Sequence, residues 1–296
     1  MVLLIGVTGF LGPEVLKALL VKNYKVNCLV RPSSSRTDLL DIAVSAGKKI
    51  DFSTGTLESS DSIITVIKKV SSVIYMVDLE NTHLLEIFLK TAARAGLKRT
   101  VFISSTTVLI PLESTIKSKK INSENLIKKS GLDYTILRPS MIYGSKDDNN
   151  FSKMIEFIKK KGYFMTFGSG NNLIQPIYIE DVAVSVSRII NNKKTYKKTY
   201  NIAGKNPLKY NDMLEIVREK LKKKFRIIKL PIRLSRFLIS IYAGISRNPL
   251  LTADQIGRMG VDKVYSYQNA REDFDFSPIS FEKGIEKLIK KLEARN

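Results

Sequence analysis

Short, uninterrupted hydrophobic runs alternate with longer amphipathic stretches along the first half of the chain. Apolar runs of this length, bounded by turn residues, are typical of strands that are buried on both faces of a parallel sheet. The stretches between the runs have the periodicity of crossover helices. The pattern predicts strands at 2–5, 26–30, 50–52, 73–77, 100–104 and 134–137.

The amphipathic stretches predict a helix between consecutive strands, and Gly47, Gly96 and Gly131 stand where three of these helices are expected to end. Regular alternation of strand and helix is typical of an α/β fold, here a doubly wound parallel sheet with helices on both faces and right-handed crossovers. The predicted helices cover 11–21, 38–46, 61–70, 81–95 and 118–130.

The pattern changes after Pro139, where longer helical stretches replace the regular alternation. We therefore predict two parts of one compact unit. The segment 1–140 carries the parallel sheet, and 141–296 forms a smaller, mainly helical lobe that binds the substrate. The predicted helices of this lobe cover 151–161, 180–191, 210–223 and 281–292.

A glycine-rich turn follows the first predicted strand and opens the first helix. In this context one glycine permits the tight turn, one lets the backbone approach a pyrophosphate, and one lets the helix pack against the strand. The free N–H groups at the start of the helix attract phosphate. The turn predicts a dinucleotide site, with a purely structural glycine turn as the alternative. The predicted contacts are Gly6, Thr8, Gly9, Phe10, Leu11 and Gly12.

Composition and charge narrow the class of protein. With 296 residues, 44% of them hydrophobic and 26% charged, the chain has the composition of a globular enzyme. No apolar stretch reaches the roughly 18 residues that span a bilayer, and no basic secretory leader precedes the first strand. The single cysteine, Cys28, excludes an internal disulfide and fits a reducing compartment. We expect a cytoplasmic protein.

The net charge of +21 raises the question of nucleic-acid binding. The lysines are spread along the chain, and no helix-turn-helix, zinc or aromatic RNA-binding pattern accompanies them. The sequence therefore predicts a small-molecule ligand, anionic in character, and no nucleic acid. Apolar residues at helical spacing, interleaved with arginines, occupy 231–247. This stretch predicts either packing over a cleft or a peripheral contact with a membrane surface.

Several motifs together carry a family resemblance. They are the glycine turn, Val-Phe-Ile-Ser-Ser at 101–105, Leu-Asp-Tyr-Thr-Ile-Leu-Arg-Pro at 132–139, Met-Ile-Tyr-Gly at 141–144, Gln-Pro-Ile-Tyr-Ile-Glu-Asp-Val-Ala at 175–183 and the ending at 276–285. Over nearly its whole length, the chain resembles the extended or atypical branch of the short-chain dehydrogenase/reductase superfamily, the epimerase/dehydratase-like group. The resemblance implies a Rossmann fold that binds NAD(P), with Pro139 among the cofactor contacts.

The residues after the second strand bear on the choice of cofactor. An acidic residue at that strand end would bind the ribose 2′-hydroxyl and select NAD. Here Arg31, Ser33 and Arg36 follow instead, and a guanidinium suits a 2′-phosphate. We therefore predict NADP(H), with NAD(H) as the alternative. Thr56 occupies the position after the third strand where the family often has an acidic residue beside the adenine.

The resemblance implies a catalytic Ser, Tyr and Lys, in which the Tyr and Lys lie four residues apart on one helix. Ser105 matches the Ser. In the family this Lys also binds the nicotinamide ribose, and here it is either Lys119 or Lys120. We predict Lys119 because Ser118 precedes it as in the family's usual Ser-Lys pair. The spacing to Glu124, four residues after Lys120, argues for Lys120.

No phenol stands four residues before either lysine, because Thr115 and Ile116 fill these positions. If the chain is an enzyme, the proton donor is therefore a substrate group, a water held by Ser105 and Lys119, or an acid of the second lobe such as Asp147 or Asp148. A solvated turn is the alternative for this acidic pair. Tyr134 and Tyr143, which are close in sequence, are expected to pack structurally.

Two functions remain open at this point. One is an NADP-dependent oxidoreductase, epimerase or reductase that acts on a nucleotide-linked or lipid-linked sugar. The other is a non-catalytic dinucleotide-binding protein, similar to superfamily members that serve as redox sensors of the nitrogen-metabolite-repression type or as assembly subunits of a respiratory complex. A metal site is not expected, since one His and one Cys do not supply a ligand cluster.

Overall fold

A computed structural model describes residues 1–148, 150–231, 235 and 260–294 of the chain. Most of the stretch 231–247, which is predicted either to pack over a cleft or to contact a membrane surface, lies outside the described residues. Within the described ranges, no helix combines the length and hydropathy needed to cross a bilayer.

A seven-stranded sheet, in which every pair of neighbours is parallel, forms the centre of the molecule. Its order is β11-β6-β5-β4-β1-β2-β3. The strands of this sheet are β1 (Val2–Ile5), β2 (Val26–Val30), β3 (Asp51–Thr54), β4 (Ser72–Tyr75), β5 (Arg99–Ile103), β6 (Asp133–Pro139) and β11 (Lys198–Ile202). The predicted α/β class and parallel sheet are confirmed.

Three two-stranded pairs lie in the second half of the chain: β10 with β7, β12 with β9, and β13 with β8. Their bounds are β7 (Ile142–Tyr143), β8 (Tyr163–Phe167), β9 (Leu173–Ile174), β10 (Ile177–Tyr178), β12 (Leu208–Lys209) and β13 (Arg226–Leu230).

Helices cover both faces of the central sheet and build most of the second lobe. Their bounds are α1 (Gly12–Val21), α2 (Thr37–Ser45), α3 (Ser60–Ile67), α4 (Thr82–Arg94), α5 (Thr115–Lys129), α6 (Phe151–Lys161), α7 (Ile179–Ile189), α8 (Tyr210–Leu221), α9 (Gln268–Phe274) and α10 (Phe281–Glu293). A short 3₁₀ helix, Thr106–Leu109, follows β5. The sequence-based helix positions agree with these bounds to within a few residues.

Separate hydrophobic clusters fill the two faces of the sheet and the second lobe. On one face, α1, α2, α7 and α9 pack through residues such as Leu16 and Val186. On the other face, α3, α4 and α5 cover Phe102. In the second lobe, α6 and α10 pack around Tyr143 and Phe281. Packing in these clusters fixes the positions of the strands, and the candidate site lies at their carboxyl ends.

The seventh strand, β11, comes from the second half of the chain and pairs with β6. One strand of the central sheet therefore lies outside the segment 1–140. Sequence patterning did not predict β11, because Lys198 begins it and its residues alternate in exposure instead of forming a buried run. The lobe and the sheet share backbone hydrogen bonds along this strand.

Candidate functional site

The order of the strands reverses between β1 and β4. The chain adds β2 and β3 on one side of β1, and β4, β5 and β6 on the other. In open parallel sheets, ligands bind in the crevice at the carboxyl ends of strands at such a reversal. Gly6 directly follows β1, and Met76 and Val77 directly follow β4. The glycine turn therefore stands at the place where the fold itself creates a crevice.

The three glycines of the turn are required for three different reasons. Gly6 has φ +84°, a left-handed conformation that a side chain would strain. A Cβ on Gly12 would lie 2.0 Å from the Val7 carbonyl oxygen, so this glycine permits the close packing of α1 on the strand. A Cβ on Gly9 would meet within 4 Å only the Gly6 carbonyl oxygen, at 3.2 Å. This contact is tight, although less severe than the overlap at Gly12, and the approach of a pyrophosphate would be a further reason for glycine at this position.

A cleft of about 500 Å³ opens at this turn. It is lined on one side by Gly6 and Gly9 and on the other by Met76 and Val77, with apolar walls from Leu57 and further leucines. Helix α1 begins beside the cleft without a side-chain cap, with its first N–H donating to the Gly9 carbonyl, and it directs the positive end of its dipole to the turn, where an anion would be stabilised. A phosphate cradle joined to an apolar slot fits a dinucleotide.

Of the predicted cofactor contacts, the structure places Gly6, Thr8, Gly9, Arg31 and Thr56 in the lining of this cleft. The remaining predicted contacts do not line it, namely Phe10, Leu11, Gly12, Ser33, Arg36, Lys119 and Pro139. The lining also includes Leu29, Leu57, Glu58, Met76, Val77 and Leu84, which sequence reasoning missed because they come from four separate loops and elements.

The two arginines of the predicted 2′-phosphate site have different surroundings. Arg31 lines the cleft. The Arg36 guanidinium instead donates to Thr54 Oγ1 at 2.7 Å and lies over the Phe52 ring, 5.2 Å from its centroid. The edge of β3 thus holds Arg36, which leaves Arg31 as the cation at the end of β2 that faces the cleft.

Ser105 follows β5 and begins the 3₁₀ helix. Its hydroxyl accepts a hydrogen bond from the Thr107 N–H at 3.1 Å and shares another with the Thr107 hydroxyl at 2.8 Å. The side chain is half-buried. A hydroxyl pair is therefore available at the position that the resemblance assigns to the catalytic Ser.

Helix α5 turns Lys120, and not Lys119, towards the interior. Lys120 is buried, and its ammonium lies 2.5 Å from Asp78 Oδ1 and 3.5 Å from Glu80 Oε1. Lys119 is exposed. Adjacent residues of a helix point about 100° apart, so only one of the two faces inward. This geometry is at odds with our choice of Lys119 and makes Lys120 the candidate.

A buried carboxylate supports the same helix register. Glu124, one turn after Lys120, accepts from the Ser104 hydroxyl at 2.6 Å and from Arg138 Nε at 2.9 Å. A second guanidinium nitrogen of Arg138 completes a bidentate pair. This network ties α5 to the ends of β5 and β6, so the face that carries Lys120 cannot rotate away from the sheet.

With Lys120 as the inward lysine, the residue four positions earlier is Ile116, which is half-buried, whereas Thr115 is exposed. Tyr143 does not substitute for a phenol there. It is buried among aromatic rings, and its hydroxyl donates to the Phe281 carbonyl at 3.4 Å. Burial raises the pKa of Tyr143 well above its ordinary value. The structural role expected for Tyr143 agrees with this environment.

The acidic pair of the second lobe divides into two roles. Asp148 is buried, and its carboxylate accepts from the Asn150 N–H at 2.9 Å, the Ser152 N–H at 3.0 Å and the Ser152 hydroxyl at 2.8 Å. It caps the start of α6 and has no free oxygen lone pair directed at a ligand site. The proposals of a solvated turn or a proton donor are therefore wrong for Asp148, whereas Asp147 is exposed.

Sequence reasoning missed one phenol that the second lobe brings to the site. The Tyr265 N–H donates to Gln175 Oε1 at 2.9 Å, and Gln175 Nε2 donates to the Gly204 carbonyl at 2.7 Å. So anchored, the Tyr265 side chain lies near Thr106, the neighbour of Ser105. Burial raises the pKa of Tyr265, and the contact with Thr106 offsets part of that rise. The phenol therefore stays protonated near neutral pH.

A search of the described residues finds no cluster of three or more His, Cys, Asp or Glu side chains that could hold a metal ion. The groups described above are the hydroxyls of Ser105 and Thr107 and the Lys120 ammonium with its carboxylate partners.

A plant mitochondrial protein resembles the chain over most of its length. Over 92% of its length, the chain is 23% identical to the mitochondrial NADH dehydrogenase (ubiquinone) 1 alpha subcomplex subunit 9 of Arabidopsis thaliana, and the match covers 73% of that protein.

Solved structures show the same fold. The dTDP-glucose 4,6-dehydratase of Streptomyces venezuelae, solved with NAD, matches with a TM-score of 0.78 and 16% identity, over 99% of this chain and 97% of that one. The triphenylmethane reductase of Citrobacter sp., complexed with NADP(H), matches with a TM-score of 0.75 and 16% identity, over 97% and 100%. At these identities the likeness establishes the fold.

The family itself is given by a model that matches most of the chain. The NmrA-like family model matches residues 1–272. Together with the dehydrogenase-subunit relative and the nucleotide-binding structural neighbours, this match confirms the resemblance that the motifs indicated. The protein belongs to the NmrA-like family, within the extended short-chain dehydrogenase/reductase superfamily.

Proposed function

We propose that this chain binds NADP(H) in the cleft at the glycine turn and acts on a nucleotide-linked or lipid-linked sugar. The observation that carries the cofactor part is Gly9, where a Cβ would be less crowded by the protein than at Gly12 but would occupy the space of a bound pyrophosphate. When bound, the cofactor would supply or accept a hydride, and the chain's own residues would position it and manage protons.

The preference for NADP(H) over NAD(H) is supported by Arg31. Its guanidinium lines the cleft at the end of β2, where an acidic residue would otherwise select the free ribose hydroxyl. The cleft also contains one acidic residue, Glu58, but this residue follows β3 and does not stand at the end of β2. The structural neighbours were solved with NAD in one case and NADP(H) in the other, so the fold accommodates both.

The sugar part of the proposal is supported by the likeness to a dTDP-glucose dehydratase and by the net charge of +21, which attracts phosphorylated ligands. For proton transfer, the arrangement offers a water held by Ser105, a group of the substrate itself, or the protonated Tyr265 phenol beside Thr106. Without a phenol beside Lys120, we expect turnover about 10²–10⁴-fold below that of an enzyme with a positioned acid.

The experiment has two steps. Calorimetric titration with NADPH and NADH, at one ionic strength, tests binding and preference. Incubation with NADPH and a panel of nucleotide sugars and carbonyl compounds then tests turnover, followed by nicotinamide absorbance and, for epimerisation, by product analysis. If neither NADPH nor NADH binds, the proposal is refuted.

A second candidate function is a non-catalytic NADP-binding sensor or assembly subunit. The specific observation in its favour is on helix α5. Ile116 stands at the position of the family's phenol, and the Lys120 ammonium forms an ion pair with Asp78. The similarity to a subunit of a respiratory NADH dehydrogenase points the same way. Tight NADPH binding without turnover on any substrate would favour this candidate.

A further inference from the structure

The charge of the inward lysine is already matched within the protein. Lys120 is buried, and its ammonium lies 2.5 Å from Asp78 Oδ1 and 3.5 Å from Glu80 Oε1. Both carboxylates come from the loop that follows β4, the same loop whose Met76 and Val77 line the cofactor cleft. The hydrogen bond from Lys120 holds the pKa of Asp78 below its ordinary value, although partial burial opposes this. Asp78 is therefore ionised near neutral pH.

Contacts other than that with Lys120 also position Asp78. Its carboxylate also accepts the Glu80 N–H at 3.0 Å, which shapes the loop as a turn. The same loop is fastened to α5 by the Ser123 hydroxyl, which donates to the Leu79 carbonyl at 2.6 Å. These contacts place the Asp78 carboxylate beside α5.

Other charges on this face of α5 have partners of their own. The Glu124 carboxylate is engaged by Arg138 and Ser104. Near the start of the helix, the Lys117 ammonium lies 2.7 Å from Glu113. Among the described residues, the ion pairs of Lys120 are thus those with the β4 loop, and Asp78 is the nearer partner.

We infer that Asp78 is a positioning residue that holds the Lys120 ammonium beside the loop whose Met76 and Val77 line the cofactor cleft, and that it neutralises this ammonium, so that the lysine does not acidify a neighbouring acid. The inference rests on the proposed dinucleotide site. This pairing accounts for Ile116 at the position of the usual phenol. A phenol there would not have its pKa lowered, because the charge of the neighbouring Lys120 is neutralised by Asp78.

The consequence can be measured without any cofactor or substrate, by placing a titratable group at position 116. The variant Ile116→Cys adds a thiol one helical turn from Lys120, where side chains four residues apart are neighbours. The chain's own cysteine does not interfere, because Cys28 is buried and burial raises its pKa to about 12. The rate of alkylation by iodoacetamide as a function of pH then gives the pKa of the added thiol.

With Asp78 present, we expect the added thiol to titrate near the ordinary value of about 8.5. With Asp78→Asn in the same background, the ammonium is uncompensated except by the more distant Glu80. The midpoint should then fall by roughly 0.5–1 pH unit, the effect of a nearby positive charge at a partly exposed site. Asp78→Glu should restore the higher midpoint, since it restores the charge.

Two controls use residues of the same region. Thr115→Cys places the thiol on the exposed side of α5, about 100° away, and Asp78→Asn should shift its midpoint much less. Glu80→Gln should shift the Ile116→Cys midpoint less than Asp78→Asn, because Glu80 is farther from the ammonium. If the thiol variant does not fold, Ile116→His offers an imidazole readable by NMR, in a chain with one natural histidine.

Equal midpoints with and without Asp78→Asn, for both the thiol and the imidazole, would overturn the inference. The outcome is independent of the proposed function, because the titration needs no cofactor. Failure of NADPH to bind would refute the proposed function and leave the charge pairing measurable.

Discussion

The Arg99 guanidinium, buried at the start of β5, donates from Nε to the Ile190 carbonyl at the end of α7, at 2.9 Å. Its other nitrogens donate to the Ile189 carbonyl and the Asp133 carbonyl, each at 2.7 Å. A buried cation thus satisfies carbonyls that α7 leaves without partners and opposes the negative end of the helix dipole.

We expect Arg99→Met to lower the free energy of unfolding by roughly 3 kcal/mol, because several buried carbonyls lose their donor. Arg99→Lys should rescue little, since an ammonium lacks the planar fork. Denaturant unfolding measures both, with Arg94→Met on the exposed end of α4 as the control. Equal stability of the Arg94 and Arg99 variants would contradict the capping role.

The glycine turn separates cofactor binding from folding. Gly9→Ala should lose NADPH affinity at least tenfold and lose less stability than Gly12→Ala, because its Cβ is less crowded by the protein but enters the phosphate space. Gly12→Ala should destabilise the protein, because its Cβ would overlap the Val7 carbonyl. Calorimetric titration and thermal unfolding of the two variants distinguish these effects; the reverse pattern would show that the turn serves packing alone.

Cofactor preference should depend on Arg31 and not on Arg36. Arg31→Ala removes the guanidinium that lines the cleft and should weaken NADPH binding by about 1–3 kcal/mol, with NADH binding nearly unchanged. Arg36→Ala is the matched control, because that side chain is held by Thr54 and Phe52. Calorimetry with both cofactors gives the selectivity, and a loss confined to Arg36→Ala would reverse the assignment.

The adjacent acidic residues of the second lobe should differ in stability effect. Asp148→Asn replaces a carboxylate that accepts hydrogen bonds at the start of α6, so we expect a loss of about 1–2 kcal/mol. Asp147→Asn changes the charge of the chain equally at an exposed position and should have little effect. Urea unfolding curves of the two variants check this, and a similar loss for both would argue against the cap.

Asp181 predicts a pH dependence of stability. Burial raises its pKa to about 6, and the hydrogen bond from the Ile279 N–H at 3.1 Å offsets only part of this. Since its pKa in the unfolded chain is about 3.9, its contribution to stability is fully present below that pH and is lost as the pH rises through about 6.

Asp181→Asn avoids the burial of a charge. We expect it to match the parent near pH ~4 and to be more stable by about 1 kcal/mol near pH ~7, a value reduced for partial exposure. Unfolding experiments at the two pH values test this, with exposed Asp41→Asn as the control. A stabilisation that is equal at both pH values would show that titration of Asp181 is not its cause.

Local patterning determined much of this protein. Strands such as β1 and β2 are hydrophobic on both faces, and the glycine turn is a contiguous signal whose three constraints act within a few residues of each other. The α/β class, the parallel sheet and the place of the cofactor turn followed from these features. Each depends on short-range sterics or on the alternation of buried strands with amphipathic helices, and both are visible along the sequence.

Tertiary structure alone decided the rest. Whether Lys119 or Lys120 faces inward depends on a partner, Asp78, that is distant in sequence, and on the rotation of α5 set by Glu124. Strand β11 joins the sheet at an edge, where only Tyr200 and Ile202 are buried, and no apolar run marks it. The Tyr265 side chain lies near Thr106 because contacts distant in sequence, such as that of its N–H with Gln175, hold this segment on the lobe. Such contacts join elements whose relative placement is set by the packing of the whole core, which periodicity along the chain does not encode.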